Sequence, residues 1–372
     1  MIIGLLKEPA FETRTSFLPE HVASLKKMNV ELLVESGAGE NAYAADDKYK
    51  DAGASVGNRQ DVIQKSDVLV SINPLSDSDI QLAKGKVLIG FFQSLINAKM
   101  ISNWASQNCT VFSMDMLPRT TRAQSMDVLS SQANIAGYKA VLMGASLYPR
   151  YIPMFMTAAG SIPPAKFLIL GAGVAGLQAI ATAKRLGGVI EVFDTRPAFK
   201  EEVMSLGAKF IEVEGAADAS KAGGYAVEQS EEFQQRQKAK IAESVAKADI
   251  VITTAQIPGR KAPILITKEM IDKMKSGSVI IDLASVTGGN TECTKDDETV
   301  IVNGVSIVGN SKLPGSMPSD ASKLYGKNIL NFLQLIVNKE GQLNLNFEDD
   351  LVLGTCVANG GNVTNERVKA LI

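Results

Sequence analysis

The chain has 372 residues, of which 45% are hydrophobic and 21% charged, and its formal net charge is −2. This length exceeds what one hydrophobic core usually serves, so we expect two globular domains. The near-neutral charge excludes the basic bias of a nucleic-acid-binding protein. Three widely spaced cysteines, Cys109, Cys293 and Cys356, predict reduced thiols and neither a disulfide framework nor a metal site.

The first third of the chain alternates short apolar runs with polar or amphipathic segments. The apolar runs predict strands at 2–6, 30–34, 68–72, 87–91 and 110–113, and the other segments predict helices near 19–28, 59–66, 77–84 and 97–107. This alternation indicates a doubly wound parallel sheet. The chain opens on a strand pattern and has no unbroken apolar stretch of ~20 residues, so we expect neither a secretory leader nor a membrane span.

A long helical pattern, roughly 122–149, leads into a second alternation. Strands are predicted at 166–170, 189–193, 209–213, 249–254, 278–283 and 305–309, and a last helix at 321–338. We expect that helix to pack back on the first domain and make it discontinuous. The predicted domains are therefore 1–125 with 321–372, and 126–320.

The segment KFLILGAGVAGLQAIATAKRLGGVIEVFDTR (166–196) is the most specific motif of the chain. It runs strand, glycine turn, helix, strand and acid, in the spacing of a dinucleotide-binding unit. Gly171 permits the tight turn, Gly173 lets the backbone approach a pyrophosphate, and Gly176 allows close packing of helix and strand. Val174 opens the helix, whose free N–H groups attract phosphate charge. The alternative is an ordinary structural glycine turn.

Asp194 ends the second strand of this motif. Its carboxylate is placed to accept a hydrogen bond from the adenosine ribose 2′-hydroxyl and to repel a 2′-phosphate. The sequence therefore predicts NAD(H) as the cofactor, in preference to NADP(H).

Two further segments leave a choice open. Residues 214–235 are polar and glycine-punctuated around Tyr225, which fits either a mobile loop closing over nucleotide or a solvated insertion. On one long helix a polar stripe would form behind Arg119, consisting of Gln124, Asp127, Ser130 and Asn134. Such a stripe suits a nicotinamide and its ribose, but Thr121 with Gln124 also matches a capping box on a solvated face.

The sole histidine, His21, is expected at the surface near a helix start, away from any chemistry. Dehydrogenases that oxidise an alcohol or amine need a base near the nicotinamide. Hydride exchange between two nicotinamides moves no proton at the reacting carbons and needs positioning alone. The lack of an obvious base therefore favours transfer between nucleotides, although Lys and Tyr remain available.

The chain resembles the proton-translocating nicotinamide nucleotide transhydrogenases, a family that also contains alanine dehydrogenase. The resemblance is to the extramembranous NAD(H)-binding component of the α subunit and covers nearly the whole chain. The strings that carry it are PRTTRAQSMDVLSSQANIAGYKAV (118–141), TAAGSIPPAKFLILGAGVAGLQAIATAKRLG (157–187), VFDTRP (192–197), TTAQIPGRKAPILIT (253–267) and GSVIIDLA (277–284).

The resemblance implies two Rossmann-like doubly wound domains with a nucleotide cleft between them, and a homodimer. It implies hydride transfer to NADP+ on a separate NADP(H)-binding component, coupled to proton movement through a membrane-spanning component. The expected location is peripheral, on the cytoplasmic face of a bacterial-type inner membrane. The implied nicotinamide-end residues are Arg119, Gln124, Asp127 and Ser130, and the implied nucleotide contacts are Asp194, Thr195, Arg196, Gly224, Tyr225 and Gln256.

The chain departs from the family pattern at several positions, and two alternative functions remain. Thr120-Thr121 stand where the family usually has Ile-Ser, and Gln256 stands where it has Leu beside the adenine. Alanine dehydrogenases use a lysine and a histidine that are missing from 70–74 and 90–94. A free-standing amino-acid dehydrogenase is therefore disfavoured but remains an alternative, as does a module that only binds and reports NAD(H).

The loop hypothesis can be tested at Tyr225. If this ring closes over bound nucleotide, its proton signals should shift or sharpen when NADH is added. The Tyr225→Ala variant should then slow hydride transfer more than it lowers the melting temperature. An unchanged spectrum together with full activity of the variant would mean that 214–235 is a solvated insertion.

Overall fold

The computed structural model describes residues 1–213 and 230–372, which form two compact units. The first unit is Met1–Gln132 with Gly315–Ile372, and the second is Ala133–Pro314. The sequence-based boundaries are 125/126 and 320/321, whereas the structure divides the chain at 132/133 and 314/315.

The N-terminal part of the first unit alternates strands with helices. Its strands are β1 (Ile2–Leu5), β2 (Glu31–Glu35), β3 (Ser55–Gly57), β4 (Val68–Val70), β5 (Val87–Gly90) and β6 (Thr110–Ser113). Its helices are α1 (Val22–Lys27), α2 (Asp46–Ala52), α3 (Arg59–Lys65), α4 (Asp77–Leu82) and α5 (Ala98–Ser106). Both β4 and β5 are buried at every position, as parallel strands covered on both faces require.

Helix α6 (Val128–Leu147) then carries the chain from the first unit into the second. The second unit's strands are β7 (Phe155–Thr157), β8 (Gly160–Ile162), β9 (Lys166–Leu170), β10 (Val189–Phe193), β11 (Lys209–Phe210), β12 (Ile250–Thr253), β13 (Val279–Asp282), β14 (Glu298–Val302) and β15 (Val305–Gly309). Its remaining helices are α7 (Val174–Arg185), α8 (Lys200–Ser205), α9 (Glu231–Lys247) and α10 (Lys268–Ile271).

The last segment of the chain returns to the first unit. It consists of α11 (Pro318–Ile336), α12 (Asp350–Thr355), β16 (Cys356–Asn359), β17 (Asn362–Val363) and α13 (Glu366–Lys369). Among residues 1–213 and 230–372, no helix has both the length and the apolar character needed to cross a bilayer.

Each unit is built on a mostly parallel sheet, which confirms the predicted α/β class. The first sheet has the order β17-β16-β6-β5-β4-β1-β2-β3 and the second β11-β10-β9-β12-β13-β15-β14. The sheets depart from parallel pairing at their edges, because β14 runs antiparallel to β15, and β16 lies antiparallel to both β6 and β17. The turn between β16 and β17 is Gly360-Gly361, and both glycines have positive φ, which fits a tight hairpin.

The two faces of each sheet are filled by alternate residues of the same strands. In the second unit, Phe167 and Ile169 of β9 join one apolar cluster, whereas Leu168 and Leu170 join the other. The side chains of a strand point to opposite faces in turn, so an unbroken apolar run serves two cores.

Helix α11 supplies part of the first unit's core. Its Phe332 is fully buried and meets Phe112 of β6 edge to face, with ring centroids 5.3 Å apart. The expectation that His21 lies at the surface is wrong, since only 5% of it is exposed. Its ring accepts a hydrogen bond from the Leu18 N–H at 2.9 Å, and burial lowers its pKa.

The core position of α11 can be tested by truncating one side chain. Phe332→Ala should lower the free energy of unfolding by about 3–5 kcal/mol, since it leaves a cavity against Phe112. The matched control on the same helix is Leu324→Ala, at a side chain that is 39% exposed, and we expect it to change stability by less than ~1 kcal/mol. Equal losses in denaturant titrations would contradict this placement of the helix.

Candidate functional site

The strand order of the second unit reverses at β9, in the middle of its sheet. From β9 the chain moves to β10 on one side and later returns to β12 on the other. Ligands of open α/β sheets bind outside the carboxyl ends of the strands at such a reversal. The residues that follow β9, β10 and β12 are therefore the first candidates for a binding site.

The glycine turn after β9 has the geometry of a phosphate cradle. Gly171 has φ of +107°, and a Cβ at this position would lie 2.2 Å from Oγ1 of Thr254. A Cβ at Gly176 would lie 1.9 Å from the Gly171 carbonyl oxygen, so the helix and the turn touch there. At Gly173, by contrast, a Cβ would meet no atom of the described residues within 4 Å.

Helix α7 begins at Val174, and Gly173 before it has no side chain to cap the first turn. The first N–H groups of a helix have no partner within the helix and carry the positive end of its dipole. The open space at Gly173 leaves these N–H groups accessible to an anion that approaches the backbone.

Asp194 lies directly beside this turn. Its carboxylate Oδ2 accepts a hydrogen bond from the Ala172 N–H at 2.7 Å, and only 8% of the residue is exposed. The acid that ends β10 thus contacts the glycine turn that ends β9. A dinucleotide whose pyrophosphate lies on the turn would have its adenosine ribose within reach of this carboxylate.

The other predicted nucleotide residues differ in their surroundings. Arg196 forms a bidentate ion pair with Asp194, and Thr195 is half-buried between them in the chain. Gln256 is exposed after β12, and its Nε2 donates to the Leu283 carbonyl at 2.8 Å. Gly224 and Tyr225 lie outside the residues that the structure describes.

A buried amide that the sequence patterns did not indicate fixes a loop beside these strand ends. Asn290 is fully buried, and its Nδ2 donates to the carbonyls of Ala255 and Pro263, both at 2.8 Å. Its Oδ1 accepts from the Ala255 N–H at 3.0 Å, so one amide fixes the loop that carries Gln256. In the sequence, the glycine pair Gly288-Gly289 just before Asn290 was the available signal of a tight turn, and both glycines have positive φ in the structure.

The loop predicted to meet the nicotinamide belongs to the first unit. The prediction of one continuous helix from 122 is wrong: Thr121–Met126 is a 3-10 helix, Asp127 is extended with ψ of 94°, and α6 begins only at Val128. Gln124 and Asp127 are therefore not on one helical stripe with Ser130. The 3-10 segment begins after Thr120 with no side-chain cap, so the proposed capping box is also wrong.

Asp127 is itself the cap of α6. Its Oδ1 accepts from the Ser130 N–H at 2.9 Å, and its Oδ2 accepts from the Ser130 hydroxyl at 2.6 Å. A side-chain acceptor at this position satisfies a backbone donor that the helix leaves unpaired. Arg119 and Gln124 have exposed side chains on the segment just before this cap.

The C-terminal segment of the chain supports the same loop. Nδ2 atoms of Asn328 and Asn331, one turn apart on α11, both donate to the Ser125 carbonyl, at 2.9 and 2.8 Å. Arg122 pairs with Asp349 through two hydrogen bonds of 2.6 Å and also contacts Asp350. Hydrogen bonds from Arg122 lower the pKa of Asp349 to about 2.

The first unit has its own strand-order reversal, between β1 and β4, and a polar cluster lies there. Arg14 binds Glu12 at 2.7 and 2.8 Å and donates to the Gln132 amide oxygen at 2.8 Å. Asn73 donates to both Glu8 and Glu12. Burial raises the pKa of Glu8 to about 7.

Among residues 1–213 and 230–372, no group of three or more His, Cys, Asp or Glu side chains is arranged to hold a metal ion. The two polar regions present backbone N–H groups, carboxylates, amides and arginines.

Two family models match the chain: the N-terminal domain of alanine dehydrogenase/PNT over residues 4–136, and its C-terminal domain over 140–366. In Rhodospirillum rubrum, the protein that forms the first portion of NAD(P) transhydrogenase subunit alpha is 44% identical over 95% of each chain. The subunit alpha of Haemophilus influenzae is 41% identical over 97% of this chain and 71% of its own. The crystal structure of a transhydrogenase from Sinorhizobium meliloti has a TM-score of 0.89 and 46% identity, covering 98% of this chain and 100% of that one.

The chain therefore belongs to the alanine dehydrogenase/PNT family. The resemblance to the α subunits of the transhydrogenases, stated from the sequence, is confirmed.

The capping role of Asp127 can be measured directly. Asp127→Ala should lower the free energy of unfolding by ~1 kcal/mol, because the Ser130 N–H loses its acceptor. Asp127→Asn should retain most of that stability, since Asn caps helices about as well as Asp. An Asp127→Ala variant that melts like the unmodified protein would contradict the capping role.

Proposed function

We propose that this chain is the NAD(H)-binding component of a proton-translocating transhydrogenase, which transfers hydride directly between NAD(H) and NADP(H). The observation that carries the proposal is the contact of Asp194 with the turn before the uncapped start of α7. This contact supports the proposal, because an acid beside a glycine turn at a strand-order reversal is the arrangement that binds the ribose and pyrophosphate of a dinucleotide. The transhydrogenase names of the relatives support the same assignment.

The residues divide into two tasks. The glycine turn and Asp194 hold the adenosine and pyrophosphate half, with Thr195, Arg196 and Gln256 around the adenosine. Arg119 and Gln124 are exposed and are the side chains assigned to the nicotinamide end, while Asp127 and Ser130 fix the loop that presents them. When bound, the nicotinamide supplies the hydride donor or acceptor, and the chain supplies its position.

Positioning is sufficient for this reaction, because exchange between two nicotinamides removes no proton from the reacting carbons. An amino-acid dehydrogenase needs a base as well as a site for the substrate carboxylate. At the first unit's reversal, the stretch 70–74 provides Asn73, which is engaged with Glu8 and Glu12. Arg14 is already bound to Glu12 and Gln132, so a substrate carboxylate would have to displace Glu12.

The proposed partners are the NADP(H)-binding component and the membrane-spanning component of the same enzyme, at the cytoplasmic face of a bacterial-type inner membrane. A second copy of the chain completes a homodimer. The hairpin β7–β8 and the residues before it support this last proposal, since they expose a group of large apolar side chains: Tyr151, Met154, Phe155 and Met156. Patches of this kind on a monomer mark contact surfaces.

The experiment mixes this chain with a purified NADP(H)-binding transhydrogenase component and follows reduction of an NAD+ analogue by NADPH. We expect transfer only in the mixture, tighter binding of NADH than of NADPH by this chain alone, and no turnover of NAD+ with L-alanine. Gln124→Asn should lower the transfer rate at least ~10-fold with a much smaller change in NADH affinity, because positioning groups act mainly in the transition state.

The matched control is Gln64→Asn on α3, an exposed glutamine whose side chain has no part in the site. It should leave the transfer rate unchanged. Binding of NADH without transfer in the mixture would favour a sensor. Turnover with L-alanine would favour the dehydrogenase alternative.

A further inference from the structure

The carboxylate of Asp194 has no acceptor position left over. Its Oδ1 accepts from the Arg196 backbone N–H and from Arg196 Nε, both at 2.8 Å. Its Oδ2 accepts from the Ala172 N–H and from Arg196 Nη2, both at 2.7 Å. A carboxylate offers about four lone-pair sites, so these four donors fill them.

The four donors differ in how readily a ligand can displace them from the Asp194 carboxylate. Two are backbone N–H groups, one in the glycine turn and one two residues beyond Asp194. The other two belong to the Arg196 guanidinium, which turns on flexible side-chain bonds. The guanidinium also stacks on the Phe199 ring, with its central carbon 4.2 Å from the ring centroid. A ribose hydroxyl that reaches Asp194 must therefore take its place from the side chain of Arg196.

The ion pair also changes the electrostatic basis of cofactor choice. With the guanidinium bound in bidentate fashion, the negative charge of Asp194 is balanced at close range. A 2′-phosphate arriving here meets a neutral pair and not an isolated carboxylate. Arginine is the side chain that binds phosphate best in this geometry, through two parallel N–H···O bonds.

We propose that Asp194 excludes NADP(H) by holding Arg196, so that cofactor choice depends on the pair and Arg196 is a latent 2′-phosphate-binding residue. This inference rests on the proposed function, because it places the adenosine ribose at Asp194. It goes further in assigning the discrimination to competition for one guanidinium.

The test compares 5′-AMP with adenosine 2′,5′-bisphosphate, two probes that differ only in the 2′-phosphate. Dissociation constants are measured by calorimetry for the unmodified chain, Asp194→Asn, Arg196→Ala and the double variant. Asn keeps an oxygen for the Ala172 N–H, so the glycine turn retains its partner. We expect Asp194→Asn to improve binding of the bisphosphate relative to 5′-AMP by at least ~10-fold, the size of a charge-assisted hydrogen bond.

The double variant should lose this gain, and Arg196→Ala alone should show none. The gain should also shrink as salt is raised, because it comes from a charge pair. The matched control is Arg185→Ala, which removes an exposed arginine of the same unit whose Nη1 bonds only within its own helix. It should leave the gain of Asp194→Asn intact.

A gain that persists in the double variant would overturn the inference, since exclusion would then come from the Asp194 charge alone. Absence of any gain in Asp194→Asn would overturn it as well. In both cases the unmodified chain would still bind NADH, and the proposed function would stand. Failure of the unmodified chain to bind both 5′-AMP and NADH would overturn the proposed function together with the inference.

Discussion

The parallel pairing of β9 with β10 on one side and β12 on the other is the constraint on which the candidate nucleotide site depends. The carboxyl ends of all three strands lie side by side, so the residues that follow them meet as a direct result of the strand pairing. The Ala172 N–H reaches Asp194 across the β9–β10 pair, and Thr254 stands against Gly171 across the β9–β12 pair. A shift of register in either pair would separate the phosphate cradle from the ribose acceptor.

The loop of the first unit is built on the opposite principle. Locally, residues 118–127 form only a short 3-10 helix, and hydrogen bonds from residues about two hundred positions later hold this helix in place. Asn328 and Asn331 converge on one carbonyl, and Asp349 holds Arg122. Arg119 and Gln124 are thereby carried on a segment whose backbone is held by α11 and Asp349, while their own side chains are exposed. This arrangement suits residues that must orient a ligand without enclosing it.

The sequence predicted the elements that repeat a local rule. Apolar runs gave β6, β10 and β15 with their observed bounds, because strands in the interior of a covered sheet are rich in apolar residues. The Gly171 turn followed in the same way, from the spacing of the glycines between a strand pattern and a helix pattern. The antiparallel strands β14, β16 and β17 were missed because they are short or partly polar, and their pairing depends on partners elsewhere in the chain.

The candidate site was predictable only in part for a related reason. Periodicity placed Gln124, Asp127 and Ser130 on one helix. It carries no information about capping, and a residue that caps a helix with its carboxylate lies outside the helix, as Asp127 does. The pairing of Asp194 with Arg196 was equally invisible, because two residues of one motif were each assigned to the ligand and not to each other. Asn290 lies in no periodic element, and only a three-dimensional view shows which carbonyls it bridges.

The return of the chain to the first unit has a consequence during synthesis. Strand β6 receives its neighbour β16, and Phe112 receives Phe332, only after the intervening Ala133–Pro314 segment has been translated. Until then, a ribosome-bound chain presents an unpaired edge at β6 and an open apolar face around Phe112, whereas the segment Ala133–Pro314 already has its full sequence. Exposed edges of this kind invite wrong pairing with other nascent chains. The discontinuous unit thus completes its fold only after the sequence of the continuous unit has been made.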